Sequence, residues 1–184
     1  QFEVVGHRYA DLSEPDRGVA LLNDSKYGYR VKDGVMSLSL LRAPTNPDPV
    51  CDLGQHHFVY SLLPHAGALE ASDAVVASAA ILNQGLETFP GKAAGDAARL
   101  PVAFEGEGVE LSVLKRAEKE DCLVVRLVER RGRRATGVLS ATAPGASFVE
   151  CPTSEWTEIG KPLPAPATIM FRPFELKTFK LRIR

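Results

Sequence analysis

Short runs that alternate apolar and polar residues dominate the first part of the chain and indicate β-strands. One buried run ends at Asn23-Asp24, two residue types that favour turns. The next run ends at Asp33-Gly34, which is a strong hairpin signal. The sequence therefore predicts an antiparallel, strand-rich region at this end of the chain. The predicted strands span residues 2–12, 18–24, 27–34, 35–43 and 56–65.

One helix is predicted in the middle of the chain, over residues 68–86, because this Ala-rich stretch repeats its apolar residues at helical spacing. Ser72 or Asp73 could cap its N-terminus, and Gly85 could end it. Residues 88–101 are small, polar and rich in Gly and Pro, so they are expected to form a linker or a long loop.

After residue 101 the pattern changes to short strands separated by turn residues, which is typical of a small antiparallel β-sandwich. In the last run the apolar positions Leu176 and Phe179 break strict alternation, which predicts a bulge near Thr178. No internal repeat and no βαβ alternation is present. The predicted fold is mostly β: a sheet-rich unit with one helix over residues 1–95, then an antiparallel sandwich over residues 96–184.

Composition indicates a globular protein without a strong overall electrostatic field. Hydrophobic residues make up 45% of the chain, and the formal net charge of −1 does not favour nucleic acid or membrane as a partner. No apolar run approaches the ~20 residues of a membrane span, and no signal peptide is expected. Residues 126–135 form a basic run. A hairpin with a solvated turn at Arg131-Gly132 is favoured there over a phosphate-binding patch, since no aromatic residue interleaves the arginines.

The cysteines are too few and too scattered for a disulfide framework. Cys51, Cys122 and Cys151 belong to no CxxC pair, so they are expected to be reduced structural thiols. This usage predicts a cytoplasmic protein. The chain opens on Gln1 rather than Met, and we expect it to be a fragment of a longer protein.

The histidines offer weak evidence for a metal site. His56 and His57 are adjacent, so on a strand they would point to opposite faces. A site with His7, His65 or Asp52 would have to assemble through the fold, and no fixed ligand spacing supports it. Structural or substrate-facing roles are favoured over metal binding.

Three carboxylates near turns, Asp24, Asp48 and Asp52, could reach a cleft, and paired carboxylates are the chemistry of glycoside hydrolysis. The segment Asn46–Pro49 consists of residues that favour turns, and this favours a structural role for Asp48. No nucleophile elbow, P-loop or G-x-G-x-x-G pattern occurs.

Arg42 stands at the end of a predicted strand and precedes Pro44, where sheets present their loops. Its guanidinium could donate a fork of hydrogen bonds to sugar hydroxyls or to a carboxylate. An ion pair with Asp24 or Asp48 inside the protein is an equal alternative, and the sequence leaves both open.

Several motifs together give a resemblance to a known family. They are "ADLSE", "GVALLNDSKYGY", "LSLLRAP" and "PDP", then D-x-G-x-H-x-F-x-Y-x-L-x-PH from Asp52 to His65, and the late "RPFELKTFKL". With these motifs, residues 2–67 and the last dozen residues resemble glycoside hydrolase family 38, the α-mannosidases, and most closely its cytosolic and bacterial branch.

The resemblance implies the C-terminal β region of such an enzyme: the end of a mutarotase-like β-supersandwich, then a small β-sandwich. The family carries its catalytic carboxylates and a divalent metal, usually zinc, in a separate N-terminal barrel, so no catalytic residue, metal ligand or cofactor is expected in this chain. The expected partners are that catalytic domain and an α-mannoside, which Arg42, Asn23, Asp24 and Tyr27 would contact. We expect hydrolysis by the full-length protein, with this chain shaping and closing the active site, and no activity from the chain alone.

Two hypotheses in which the protein has no catalytic function stay open beside this one. The first is a carbohydrate-binding β-module, for which exposed aromatic residues such as Trp156 would stack on sugars. The second is a structural module that mediates homo-oligomer formation through an exposed apolar patch.

Overall fold

The computed structural model describes residues 3–69, 73–85, 90–91 and 100–183. The chain divides into two compact units, unit 1 over residues 1–89 and unit 2 over residues 90–184. The boundary expected near residue 95 and most of the expected linker 88–101 lie outside the described residues, as does the proposed cap Ser72. Within the described ranges, no helix has the length and apolar character needed to traverse a bilayer.

Unit 1 is built from two antiparallel sheets and a helix. The first sheet has the strand order β1-β4-β5, and the second has the order β2-β3-β6 with β3 at its centre. The elements are β1 (Val4–Val5), β2 (Tyr9–Ser13), β3 (Arg17–Asn23), β4 (Gly28–Lys32), β5 (Val35–Ser39), β6 (Tyr60–Ala66) and α1 (Asp73–Asn83).

The helix covers one face of the second sheet. Ala20 and Leu22 of β3 are buried against Val75 and Ala79 of α1, and the two alanines allow a close approach of helix and strand. Asp73 lies in the first turn, where its charge complements the helix dipole. The predicted helix is confirmed in place and type, over fewer residues than the sequence pattern suggested.

The hairpin at Asp33-Gly34 forms as predicted. Both residues have positive φ, 53° and 73°, as a two-residue type I′ turn requires, and Lys32 pairs with Val35 across it.

The single strand predicted over residues 2–12 is wrong, because the chain changes sheets within it. Arg8 has a φ of 71°, and the backbone N–H of Gly6 donates to the Tyr27 carbonyl at 2.9 Å. This break sends β1 to the first sheet and β2 to the second.

Unit 2 is a sandwich of a three-stranded sheet, in the order β13-β10-β7, and a five-stranded sheet, in the order β12-β11-β14-β9-β8. All strand pairs are antiparallel. Large side chains such as Leu127, Phe148 and Phe179 fill the core. The strands are β7 (Val102–Glu105), β8 (Val109–Arg116), β9 (Leu123–Glu129), β10 (Ala135–Ala141), β11 (Ser147–Cys151), β12 (Ile159–Pro164), β13 (Ala167–Phe171) and β14 (Leu176–Arg182). The predicted fold class, mostly β with one helix and a terminal antiparallel sandwich, is confirmed.

Two local features of unit 2 differ from the sequence pattern. β12 was not predicted, since it is exposed throughout and carries two prolines, which edge strands tolerate. The bulge expected near Thr178 is wrong: β14 pairs without interruption with β9, because both of its faces are covered and Thr178 itself is buried. The register shift occurs instead in β8, between Leu111 and Val113.

The hairpin expected over residues 126–135 is also wrong. β9 belongs to the five-stranded sheet and β10 to the three-stranded sheet, so the basic turn between them crosses from one sheet to the other. Its shape is therefore set by tertiary contacts rather than by cross-strand pairing.

Candidate functional site

A short loop between β3 and β4 separates two neighbouring clefts in unit 1. Ser25, Lys26 and Tyr27 of this loop line both of them. The larger, which we call the Arg42 cleft, has a volume of about 450 Å³ and is also lined by Val5, Gly28, Ser39, Leu40, Leu41, Arg42 and Asp52. The smaller, which we call the Asn23 pocket, has a volume of about 110 Å³ and is also lined by His7, Arg8, Asn23, Asp24 and Asn83. The four residues predicted to contact substrate thus lie around one loop.

Asn23 fixes the shape of that loop. Its side chain is buried and donates to the Tyr29 hydroxyl, while its Oδ1 accepts the backbone N–H groups of Ser25, at 3.1 Å, and of Lys26. Burial raises the pKa of Tyr29, so the phenol stays neutral and can accept this bond. The Asn83 side chain donates to the Asn23 carbonyl at 2.9 Å. The oxygen and the nitrogen of the Asn23 side-chain amide, and the backbone carbonyl, are therefore all hydrogen-bonded.

Asp24 joins the loop to the far end of the segment 40–59. Its Oδ1 accepts the Val59 N–H at 3.0 Å and the Ser25 hydroxyl at 2.9 Å. The Val59 N–H, followed by the Ser25 hydroxyl, holds the pKa of the Asp24 carboxyl below its usual value. Asp24 is exposed, so an ionised acceptor of fixed position faces the solvent here.

Tyr27 forms the wall between the two clefts. Its side chain is 55% exposed, and its ring contacts that of His7 with centroids 4.9 Å apart at an interplanar angle of 51°. The Lys26 ammonium lies 4.9 Å from the centre of the Phe58 ring, a cation–π distance. Aromatic faces beside hydrogen-bonding groups are suited to binding a sugar ring.

Arg42 extends from the chain just after β5, as predicted for a residue at a strand end. Its partner is the Glu3 carboxylate, and the Ser39 hydroxyl donates to the same carboxylate at 3.1 Å. The alternative pairing of Arg42 with Asp24 or Asp48 is wrong. The Arg42 side chain is 73% exposed, and exposed ion pairs of this kind contribute only about 0–1 kcal/mol. A ligand can therefore exchange with Glu3 at little cost.

The carboxylates and histidines of the segment 40–59 organise the segment itself. Asp52 accepts the Ala43 N–H at 2.8 Å, where Ala43 has a φ of 46°, and the His56 ring donates to the Asp52 carbonyl at 2.9 Å. Asp48 accepts the Val50 N–H at 3.0 Å, as its turn chemistry predicted. No cluster of three or more His, Cys, Asp or Glu residues suited to a metal ion occurs among residues 3–69, 73–85, 90–91 and 100–183.

A buried pair in the second sheet gives no signal in the sequence. The His65 ring donates to the Asp11 carboxylate at 2.8 Å, and both side chains are almost completely buried. The ring lies over Gly18 of β3, where an added Cβ would come within 2.5 Å of it. These residues are far apart in sequence, and only the β2-β3-β6 pairing brings them together.

Trp156, the aromatic residue expected for a sugar-binding module, lies in unit 2 and is 70% exposed. The Lys119 ammonium lies 4.6 Å from the centre of its ring and covers one face. Two tyrosines of unit 1 differ in exposure: Tyr29 is buried, whereas Tyr60 is exposed.

Comparison with known proteins gives consistent matches. Alpha-mannosidase G of Dictyostelium discoideum is 36% identical over 187 residues, which cover 98% of this chain and 17% of that protein. Alpha-mannosidase 2C1 of Mus musculus is 39% identical over 155 residues, which cover 82% of this chain and 15% of that protein. The chain thus spans about one sixth of the length of these relatives.

Solved structures and family models agree with the sequence matches. The crystal structure of an alpha-mannosidase from Enterococcus faecalis V583 superimposes with a TM-score of 0.70 at 20% identity, over 97% of this chain and 21% of that one, which shows a shared fold. Residues 1–50 match the model of the glycosyl hydrolases family 38 C-terminal domain, and residues 108–179 match that of the family 38 C-terminal beta sandwich domain. The chain therefore belongs to glycosyl hydrolases family 38 and corresponds to the C-terminal β domains of that family.

Proposed function

We propose that the full-length protein is an α-mannosidase and that unit 1 shapes and closes its active site. The observation that carries this proposal is the grouping of Arg42, Tyr27, Asp24 and Asn23 around one loop that borders two clefts. Relatives that match along most of the chain are named alpha-mannosidases, which supports the same activity here.

The four residues have different proposed roles. Arg42 donates to sugar hydroxyls after leaving Glu3, and the Tyr27 ring supplies an apolar wall with a hydroxyl at its edge. Asp24 accepts from a sugar hydroxyl through Oδ2, since the Ser25 hydroxyl and the Val59 N–H both donate to Oδ1. Asn23 acts as a positioning residue, because its buried amide is already bonded within the loop.

The bond-breaking chemistry is proposed to come from a catalytic domain elsewhere in the same polypeptide. Retaining glycosidases use a nucleophilic carboxylate and an acid/base carboxylate about 5–5.5 Å apart. A divalent metal, which we propose to be zinc, belongs to that same domain. The contribution of this chain is to orient the mannoside and to exclude water from it.

Exposed apolar side chains on one face of unit 1 support a partner on that side. Leu12, Tyr60 and Leu62 lie on the face of the second sheet opposite α1, as the strand register shows, and Leu62 is 63% exposed. A patch of this kind marks an interaction site. We propose the catalytic domain as its partner, and self-association of the isolated chain is the alternative that sedimentation at several concentrations would reveal. The site of action proposed for the full-length protein is the cytoplasm, and the free state of Cys51, Cys122 and Cys151 supports a reducing compartment.

Replacing Arg42 by Ala in the full-length enzyme tests the substrate contact. Loss of a charged hydrogen bond is worth about 1.5–3 kcal/mol, so kcat/KM for an aryl α-mannoside should fall about 10- to 100-fold. Arg17→Ala is the matched control, because Arg17 is an exposed arginine paired with Glu14 outside both clefts. Unchanged kcat/KM for Arg42→Ala would exclude the contact. Turnover of the same substrate by residues 1–184 alone would exclude the proposal that the catalytic residues lie in another domain.

A carbohydrate-binding module without catalysis is the second candidate, and the exposure of Trp156 favours it. Because Trp156 is the only tryptophan, its fluorescence reports directly on a sugar that stacks there. Two results together would support this candidate: a saturable change of Trp156 fluorescence with mannobiose, and a heat of binding that is lost in Trp156→Phe. The absence of any heat of binding at millimolar sugar would dismiss it.

A further inference from the structure

The turn that joins β9 to β10 carries four arginines around one glycine. We call residues 130–134 the arginine turn. It crosses from the five-stranded to the three-stranded sheet, so it is anchored at both ends by strands of the core.

A buried carboxylate holds the arginine turn rigid. Glu129 is only 1% exposed, and it accepts backbone N–H groups from Arg131 at 2.7 Å, from Gly132 at 2.9 Å and from Phe174 at 2.8 Å. Burial acts to raise the pKa of Glu129, but these backbone N–H groups outweigh it and hold the pKa below its usual value. The carboxylate is thus ionised, and its hydrogen bonds to three backbone N–H groups fix the shape of the turn.

Gly132 fits the same arrangement. It has a φ of 68°, and the Phe174 ring occupies the space where a Cβ would be, 2.6 Å away. The backbone of the turn is therefore fixed from both sides. Side chains that project from a fixed backbone lose less entropy when they bind a ligand.

Three of the arginines border one cavity, which we call the arginine cavity. It has a volume of about 330 Å³ and is lined by Glu107, Glu129, Arg131, Arg133, Arg134, Ala135 and Thr136. Arg130 lies outside it and pairs with Glu110 at 2.7 Å. Arg131 pairs with Glu107 at 3.3 Å. Arg133 and Arg134 are exposed, and neither side chain has an ion pair within the described part of the chain.

We infer that the arginine cavity is a binding site for a phosphate or sulfate group. Guanidinium groups bind such oxyanions through paired, charge-assisted hydrogen bonds. Arg133 and Arg134 supply two guanidinium groups, and Arg131 and the Thr136 hydroxyl line the same cavity. The opposing Glu107 side chain is 92% exposed, and its pairing with Arg131 is weak enough for an oxyanion to replace it. The site is built from residues of unit 2 alone and uses none of the residues proposed to contact the sugar.

Calorimetric titration of the 184-residue chain with inorganic phosphate, in a buffer free of other oxyanions, tests the inference. Saturable binding is expected, and Arg133→Gln with Arg134→Gln should weaken it at least 10-fold. The matched control is Arg17→Gln with Arg30→Gln, which removes the same charge from exposed positions of unit 1 and should leave binding within twofold. Glu107→Gln should strengthen binding, because it removes the competing carboxylate at the rim.

Further titrations distinguish a free oxyanion from a phosphate group carried on a sugar. Equal affinity for phosphate and for mannose 6-phosphate supports a site that binds the phosphate group alone. Tighter binding of mannose 6-phosphate supports a ligand in which the phosphate group is attached to a sugar. Plain mannose should not bind the arginine cavity. The inference is overturned if phosphate does not saturate, if Arg133→Gln with Arg134→Gln leaves the affinity unchanged, or if the control variant weakens binding as much as this double variant.

Discussion

Glu129→Gln is the substitution that most directly tests how unit 2 is held together. Oε1 accepts from Arg131, while Oε2 accepts from both Gly132 and Phe174. A glutamine keeps the size of the side chain but offers one acceptor oxygen. Its NH₂ group must then face at least one backbone N–H. The variant therefore buries unpaired donors without creating a cavity.

The expected loss follows from the number of bonds. A buried donor left without a partner costs about 1–3 kcal/mol, and the position near a turn favours the lower part of that range for each group. We expect the free energy of unfolding of unit 2 to fall by about 2–4 kcal/mol. For a domain of roughly this size, that corresponds to a decrease in Tm of about 10–25 °C.

Thermal and urea unfolding followed by circular dichroism measure this loss, with Glu107→Gln as the control. Glu107 is 92% exposed, so its replacement should change stability by less than about 0.5 kcal/mol. A Glu129→Gln variant as stable as the wild type would refute the reasoning, because it would show that the three backbone donors do not depend on the carboxylate.

The same variant makes a prediction about pH. The pKa of Glu129 is lower in the folded protein than in the unfolded chain, so its stabilisation is complete above the unfolded value, about 4.3, and is lost as the pH falls through the folded value. Wild-type stability should therefore decline below about pH 5 more steeply than that of Glu129→Gln. Parallel curves for the two proteins would contradict the assignment of this loss to Glu129.

Two further substitutions test the packing. Gly18→Ala should destabilise unit 1 by about 1–3 kcal/mol in urea unfolding, because the new methyl group would lie 2.5 Å from the buried His65 ring. Gly85→Ala is the control and should change stability little, since the space around Gly85 is open. If the two substitutions changed stability equally, the His65 ring would have to move aside freely. Leu127→Ala should destabilise unit 2 by about 2–5 kcal/mol, since Leu127 is fully buried, and the half-exposed Leu176→Ala should have a much smaller effect; similar losses would place Leu127 outside the core.

The sequence predicted the elements that depend on local chemistry. Alternation located most strands, Asp33-Gly34 specified a hairpin because few residue pairs accept positive φ at both positions, and helical spacing located α1. It also placed Arg42 at a strand end and Asn23-Asp24 in a turn. Ordered motifs such as "GVALLNDSKYGY" indicated the family, and the comparisons confirmed it.

Tertiary structure decided which residues meet across long distances in the chain. The partner of Arg42 is Glu3, His65 bonds Asp11, and the basic turn crosses between sheets instead of closing a hairpin. None of these follows from alternation, which specifies the face of a strand but not its neighbour or its sheet. Contacts between distant segments depend on strand order and register, and those are set by how the whole core packs. For the same reason the sequence supplied the arginines of the turn, while the fold, through Glu129, brought three of them to one cavity.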